Sequence, residues 1–104
     1  MESVTVSSGN VFEDLDLPEP EDRLAKAELA RKISEIIKKR RLSQAETAEI
    51  LGVDQPKVSA IMHGRLADFS FERLFQFLTA LGRDIQITVK SKPRSRARGE
   101  LRVQ

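Results

Sequence analysis

Apolar side chains recur along this chain at two spacings, and the change from one to the other marks out its elements. From Glu21 onward, Leu29, Ile33, Ile36 and Ile37, with Ala30, repeat at the three-and-four spacing of one helical face. Glu21 and Asp22 open that helix where its dipole favours negative charge. Lys38, Lys39, Arg40 and Arg41 close it where the dipole favours positive charge. The four cations have two readings, helix-end capping and contact with phosphate. Between Ser43 and His63 the apolar positions predict two short helices joined by a tight turn. Ser43 caps the first, and Glu46 three residues later completes a capping box. Ala48 is small enough for a second helix to cross close above it. Gly52 enters a left-handed turn without a Cβ penalty, Val53 follows as a buried plug, and Asp54 caps the second helix. Pro56 falls in that helix's first turn, where its missing N–H costs nothing. Val58 and Ile61 form the inward stripe, leaving Gln55, Lys57, Ser59 and Met62 facing out. After the break at His63-Gly64-Arg65, Ser70 caps a fourth helix whose face is Phe71, Leu74, Phe75, Leu78 and Leu81, with Gly82 ending it. Phe77 falls off that stripe and is a candidate for contact with a second subunit.

The period then drops to two. Ile85, Ile87 and Val89 alternate with Gln86, Thr88 and Lys90, which predicts a strand. A lone strand in a helical domain leaves its backbone groups unpaired. The economical partner is the same strand of a second copy, giving a two-fold homodimer through Ile85, Ile87 and Val89. A hairpin with Val4 to Val6 of the same chain is the alternative. The expected fold is therefore mainly α, a bundle of four to five helices with a C-terminal β-strand used in dimerisation. Three regions are expected: an acidic N-terminal segment over residues 1–20, a folded domain over 21–90, and a mobile basic arm over 91–104.

The net charge of +2 conceals a polarised chain. Residues 1–22 carry seven acidic side chains and no Lys or Arg; residues 23–89 carry 12 basic and 8 acidic; residues 90–104 carry 6 basic and 1 acidic. A basic body and tail suit a polyanionic partner. The N-terminal segment sets Val11, Phe12 and Leu15 among Glu13, Asp14 and Asp16, with Pro18 and Pro20 after it. Such a segment can fold onto a basic protein, serve as a solubilising tail, or cover the domain's own apolar surface.

Other chemistries find little to work with. Without cysteine there is neither a disulfide framework nor a thiolate metal site. No metal site or cofactor is expected. No apolar run approaches a membrane span, and the acidic start has no signal-peptide core, so a cytoplasmic protein is expected. One His, no Tyr, no Trp and no Gly-rich phosphate loop leave little from which to build an enzyme. Four of the five phenylalanines lie between 69 and 77, which reads as core rather than a base-stacking platform.

The segment SQAETAEILGVDQPKVSAIMH, with Ala48, Leu51, Gly52, Val53, Val58 and Ile61 in place, resembles the helix-turn-helix of the XRE, or lambda-repressor-like, family. Thr47 departs from the leucine usual there and is expected to leave that corner slightly underpacked. The resemblance implies double-stranded DNA as partner, with the second helix in the major groove. It places Gln55, Pro56, Lys57 and Ser59 against bases, and Ala60 at a site often held by a longer polar residue. Gln55 suits an adenine and Lys57 a guanine, while Ala60 offers only a methyl contact. Ser43 and Gln44, at the start of the motif, fall at phosphate positions. His63 and Arg65 are candidates to clamp another phosphate, with a helix-end cap as the other role for His63. Two copies would address half-sites about 34 Å apart in a near-palindromic operator. Over residues 11–90 the layout also resembles small XRE-type antitoxins of the HigA kind, from type II toxin-antitoxin systems. That implies repression of the protein's own operon and neutralisation of a RelE/HigB-like ribonuclease toxin.

Overall fold

A computed structural model describes the backbone of residues 2–5 and of residues 19–104, with side chains from Pro20 onward. Its elements are β1 (Glu2–Thr5), α1 (Glu19–Lys39), α2 (Gln44–Leu51), α3 (Gln55–Met62), α4 (Phe71–Ala80) and β2 (Gln86–Val89). α1 begins two residues before the expected Glu21, because Pro20 lies in its first turn, where a fixed φ and a missing donor are both tolerated. The inward face of α1, from Ala25 through Leu29 and Ile33 to Ile37, is buried. It packs on α3 and α4 and joins Ile61, Leu74, Phe77, Leu78 and Leu81 in one core.

The basic quartet divides its work. Lys38 and Lys39 occupy the last turn of α1. Arg40 instead reaches across the bundle, its Nη1 donating to Leu81 O at 3.2 Å, and so satisfies a carbonyl at the end of α4. Arg41 takes the left-handed conformation, φ 55°, that turns the chain toward α2.

Phe77 is not a surface for a second subunit. It is 2% exposed, meets Phe69 edge-to-face at 5.9 Å between centroids, and carries the Arg73 guanidinium over its ring at 5.4 Å. The loop before α4 folds back, and its Phe69 gives α4 a second apolar stripe to bury.

β2 is a strand, but its partner here is the alternative one. β1 pairs with it antiparallel, in the register Glu2↔Val89, Ser3↔Thr88, Val4↔Ile87 and Thr5↔Gln86. The same strand of a second copy is thus not needed to satisfy that edge, since a strand of the same chain reaches it first. Ile85 and Ile87 are half-buried, whereas Val89 remains 54% exposed. Val6, the other end of the expected hairpin, lies outside the described residues, as do Val11, Phe12 and Leu15.

The segment after β2, expected as a mobile basic arm, ends against the core. Leu101 and Val103 pack against the core, the Leu101 N–H donates to the Glu21 carboxylate, and Arg98 pairs with Glu21 at 2.9 Å. Arg96 and Arg102 meet Glu100 at 3.2 and 3.0 Å. The Leu101 N–H, and then Arg98, hold the Glu21 carboxyl below its usual range.

Thr47 is fully buried rather than left in a loose corner. Its hydroxyl donates to Ser43 O at 2.8 Å, an oxygen already bonded by the Thr47 N–H at 2.9 Å. Removing the hydroxyl therefore leaves no orphaned acceptor. Thr47→Val is expected to change stability by less than about 1 kcal/mol; a loss above about 2 kcal/mol in a denaturant titration would show the hydroxyl to be essential.

Candidate nucleic-acid interface

α2 and α3 are set by a chain of local contacts. Ser43 Oγ accepts from the Glu46 N–H at 3.0 Å, and the Glu46 carboxylate accepts from the Ser43 N–H at 2.9 Å, closing the capping box. Gly52 ends α2 at φ 69°, ψ 34°, and the Val53 N–H reaches back to Ala48 O at 3.0 Å. This six-to-one closure requires a left-handed residue, which glycine supplies without strain. Asp54 then accepts from the Lys57 N–H at 3.0 Å and starts α3. Val58 is fully buried and Ile61 is 2% exposed, so the opposite face of α3 is fixed toward solvent.

On that face Gln55, Pro56 and Lys57 are exposed and Ser59 and Ala60 half-buried. Met62, expected outside, is half-buried and packs against the core, as does Ala60. Lys57 stands in the first turn of α3, where the helix dipole disfavours a cation and the Asp54 carboxylate at the N-cap offsets it. Its exposed side chain is left facing solvent.

Ser43 and Gln44 are exposed at the start of α2. His63 ends α3, its N–H bonding Ser59 O at 3.0 Å. Its ring Nδ1 lies 2.8 Å from the same carbonyl, which can only accept, so Nδ1 carries a proton and donates. The cap role of His63 is thus built, and Nε2 is the ring atom left for another partner. Arg65 is exposed beside it. A shallow cleft of about 410 Å³ brings Lys57, Ala60 and Arg65 together with Asp54, Asp68 and Arg73. Arg73 is the residue that sequence reasoning passes over. It sits in the first turns of α4 between core positions, its guanidinium lies over the Phe77 ring, and it reaches the cleft beside α3 only in the folded bundle.

The capping box also makes acid stability testable. The Ser43 N–H, and then its side chain, hold the Glu46 carboxyl below the ordinary value of 4.5. A carboxyl depressed in the folded state contributes fully above its unfolded pKa, and that contribution disappears as pH falls through the folded value. Glu46→Gln keeps an acceptor but loses the titration. It is expected to lower the thermal midpoint modestly at pH 7, to match the parent protein at low pH, and so to flatten the decline below about pH 4.5. An unaltered acid limb would assign that decline to other carboxylates.

Among the described residues, no helix is long and apolar enough to cross a membrane and no cluster of His, Cys, Asp or Glu is placed to hold a metal. No curated protein matches the sequence. A family model described as a helix-turn-helix domain matches residues 11–90. The solved structure of an XRE family transcriptional regulator is 45% identical to this chain, with a TM-score of 0.77, covering 83% of this chain and 97% of that one. A match over most of the length, a relative at this identity and the α2-turn-α3 geometry converge: the chain belongs to the XRE family of helix-turn-helix, DNA-binding transcriptional regulators.

Proposed function

We propose that the protein is an autorepressor that binds a near-palindromic operator as a homodimer in the cytoplasm, by binding and not by catalysis. The observation that carries this reading is the exposed Gln55-Pro56-Lys57 edge of α3, held away from the core by the buried Val58 and Ile61. In the major groove Gln55 bonds an adenine edge and Lys57 a guanine, with Ser59 and Ala60 lying over the neighbouring bases. Gln44 and Ser43 at one end, and Arg65, Arg73 and His63 Nε2 at the other, hold phosphates and so fix the register. In this reading the second copy adds along the edge of β2 not occupied by β1, through its backbone groups, and spaces the two α3 helices by about 34 Å.

The experiment is an anisotropy titration on the DNA upstream of the protein's own gene, at two salt concentrations and against a shuffled competitor. Saturable binding with a steep salt slope, resistant to the competitor, is expected. Equal binding to both sequences would sink the operator reading.

The charge pattern supports a second activity, neutralisation of a basic RelE/HigB-like ribonuclease. Seven acids precede Arg23, and the fold downstream is basic. Deleting residues 1–20 would also remove β1, so charge reversal is the cleaner test. Glu13→Lys with Asp14→Lys and Asp16→Lys should leave operator binding in place and abolish toxin neutralisation; retained neutralisation would reject the antitoxin role.

A further inference from the structure

On the side of α1 and α4 facing β2 lies a groove of about 1560 Å³, larger than the ~300–1,000 Å³ usual for small-molecule sites. Half-buried Phe75 of α4, half-buried Ile85 and Ile87 and exposed Val89 along β2 give it apolar surface, over a floor of buried Leu29, Ile36 and Leu78. Among its lining residues are eight basic side chains and three acidic ones. Lys32 and Lys39 stand on one side, and Arg83, Lys90 and Lys92 on the other. Apolar surface inside a basic rim selects an extended segment with apolar anchors and carboxylates between them. It disfavours a basic protein and gives nucleic acid little to grip on its apolar floor.

We infer that this groove is the docking site for the chain's own residues 11–17, Val-Phe-Glu-Asp-Leu-Asp-Leu. Val11, Phe12, Leu15 and Leu17 supply the anchors, and Glu13, Asp14 and Asp16 the matching charge. The two ends of the intervening chain are fixed beside the groove. Thr5 pairs with Gln86, which lines it. Gln86 follows closely on Leu81, whose carbonyl Arg40 holds near the C-terminal end of α1. The chain is next described at Glu19, the opposite end of that helix. Residues 6–18 thus connect the two ends of α1, about 30 Å apart at 1.5 Å per residue, with an extended reach of roughly 45 Å. Leu29, Lys32, Ile36 and Lys39 lie along that span of α1. The cleft beside α3 also carries cations, but it is far smaller, and its one large apolar side chain, Phe69, is buried. Among the described residues, anchors and charges are matched together only in the groove.

The chain has no cysteine, so a single Asn10→Cys takes one nitroxide label next to the segment without replacing an anchor. In the full-length ¹⁵N-labelled protein, amide signals of Leu29, Ile36 and Ile87 are expected to lose most of their intensity, while those of Gln55 to Ser59 keep theirs. Raising the salt concentration should partly restore the groove signals. Adding Phe12→Ser and Leu15→Ser should restore them further and move the unlabelled protein's groove resonances, with the remaining spectrum reporting an intact fold. Broadening centred on α3, or groove broadening indifferent to both salt and the anchor substitutions, would overturn the inference. So would broadening seen when ¹⁵N-labelled chains are mixed with separate spin-labelled chains at least as strongly as within one chain, because the occupant would then be a second copy.

Discussion

Leu74→Ala is expected to lower the unfolding free energy by about 3–4 kcal/mol, from lost burial and the cavity left behind. Leu74 is fully buried in the middle of α4, the helix that packs on α1 and touches α2. Its neighbours come from a long helix held at both ends, by the tail at Glu21 and by Arg40 at Leu81, so the site has little freedom to collapse. A domain of this size holds roughly 5–15 kcal/mol in total, which makes the loss a large share of its stability. Denaturant titration at several protein concentrations is the measurement. An unchanged slope with a lower midpoint is the expected signature, and a loss below about 1 kcal/mol would mean that α4 is not packed as described. A midpoint that also rises with protein concentration would report the proposed dimer.

The second large effect lies on function. Gln55→Ala and Lys57→Ala are each expected to weaken operator binding by about 1–3 kcal/mol, roughly 5-fold to 150-fold, and to relax preference at the base each one reads. Arg65→Ala and Arg73→Ala should instead lower affinity evenly across sequences and reduce the salt slope by about one each. Lys57 makes the distinction sharp because it is a cation in the first turn of α3. Removing it should leave the unfolding free energy unchanged or raised by only about a few tenths of a kcal/mol. A Lys57→Ala protein that loses binding and stability together would show that the side chain serves the fold, and that α3 is not a reading helix.

How much was legible in the sequence follows from how local each contact is. The capping box at Ser43 and Glu46, the left-handed Gly52, the Asp54 cap and the inward Val58 and Ile61 all involve partners within six residues of one another. Backbone geometry alone places such partners, so the helix-turn-helix and the exposed Gln55-Pro56-Lys57 edge were readable without any tertiary contact, whereas the burial of Met62 was not. Period-two alternation likewise predicted β2 as a strand, because pleating sends alternate side chains to opposite faces wherever the strand lies.

Partners distant in the chain were not readable in this way. Helical spacing set Phe77 off the main stripe, and only the return of Phe69 buried it. Charge and prolines described residues 91–104 as a free arm, and only the approach of Glu21 from the other end of the chain supplied an acceptor for Leu101 and a counter-ion for Arg98. Periodicity showed that β2 needs a partner but left its source open between β1 and a second copy, since backbone hydrogen bonds carry no sequence label. Arg73 joined Lys57 and Arg65 at one cleft for the same reason: α3 and α4 had first to pack. The elements, their caps and the exposed Gln55-Pro56-Lys57 edge of α3 were therefore written into the order of residues, as products of short-range geometry. Which surfaces are buried, where the tail goes and which distant charges meet were settled by packing, because those depend on contacts that exist only once the chain has closed on itself.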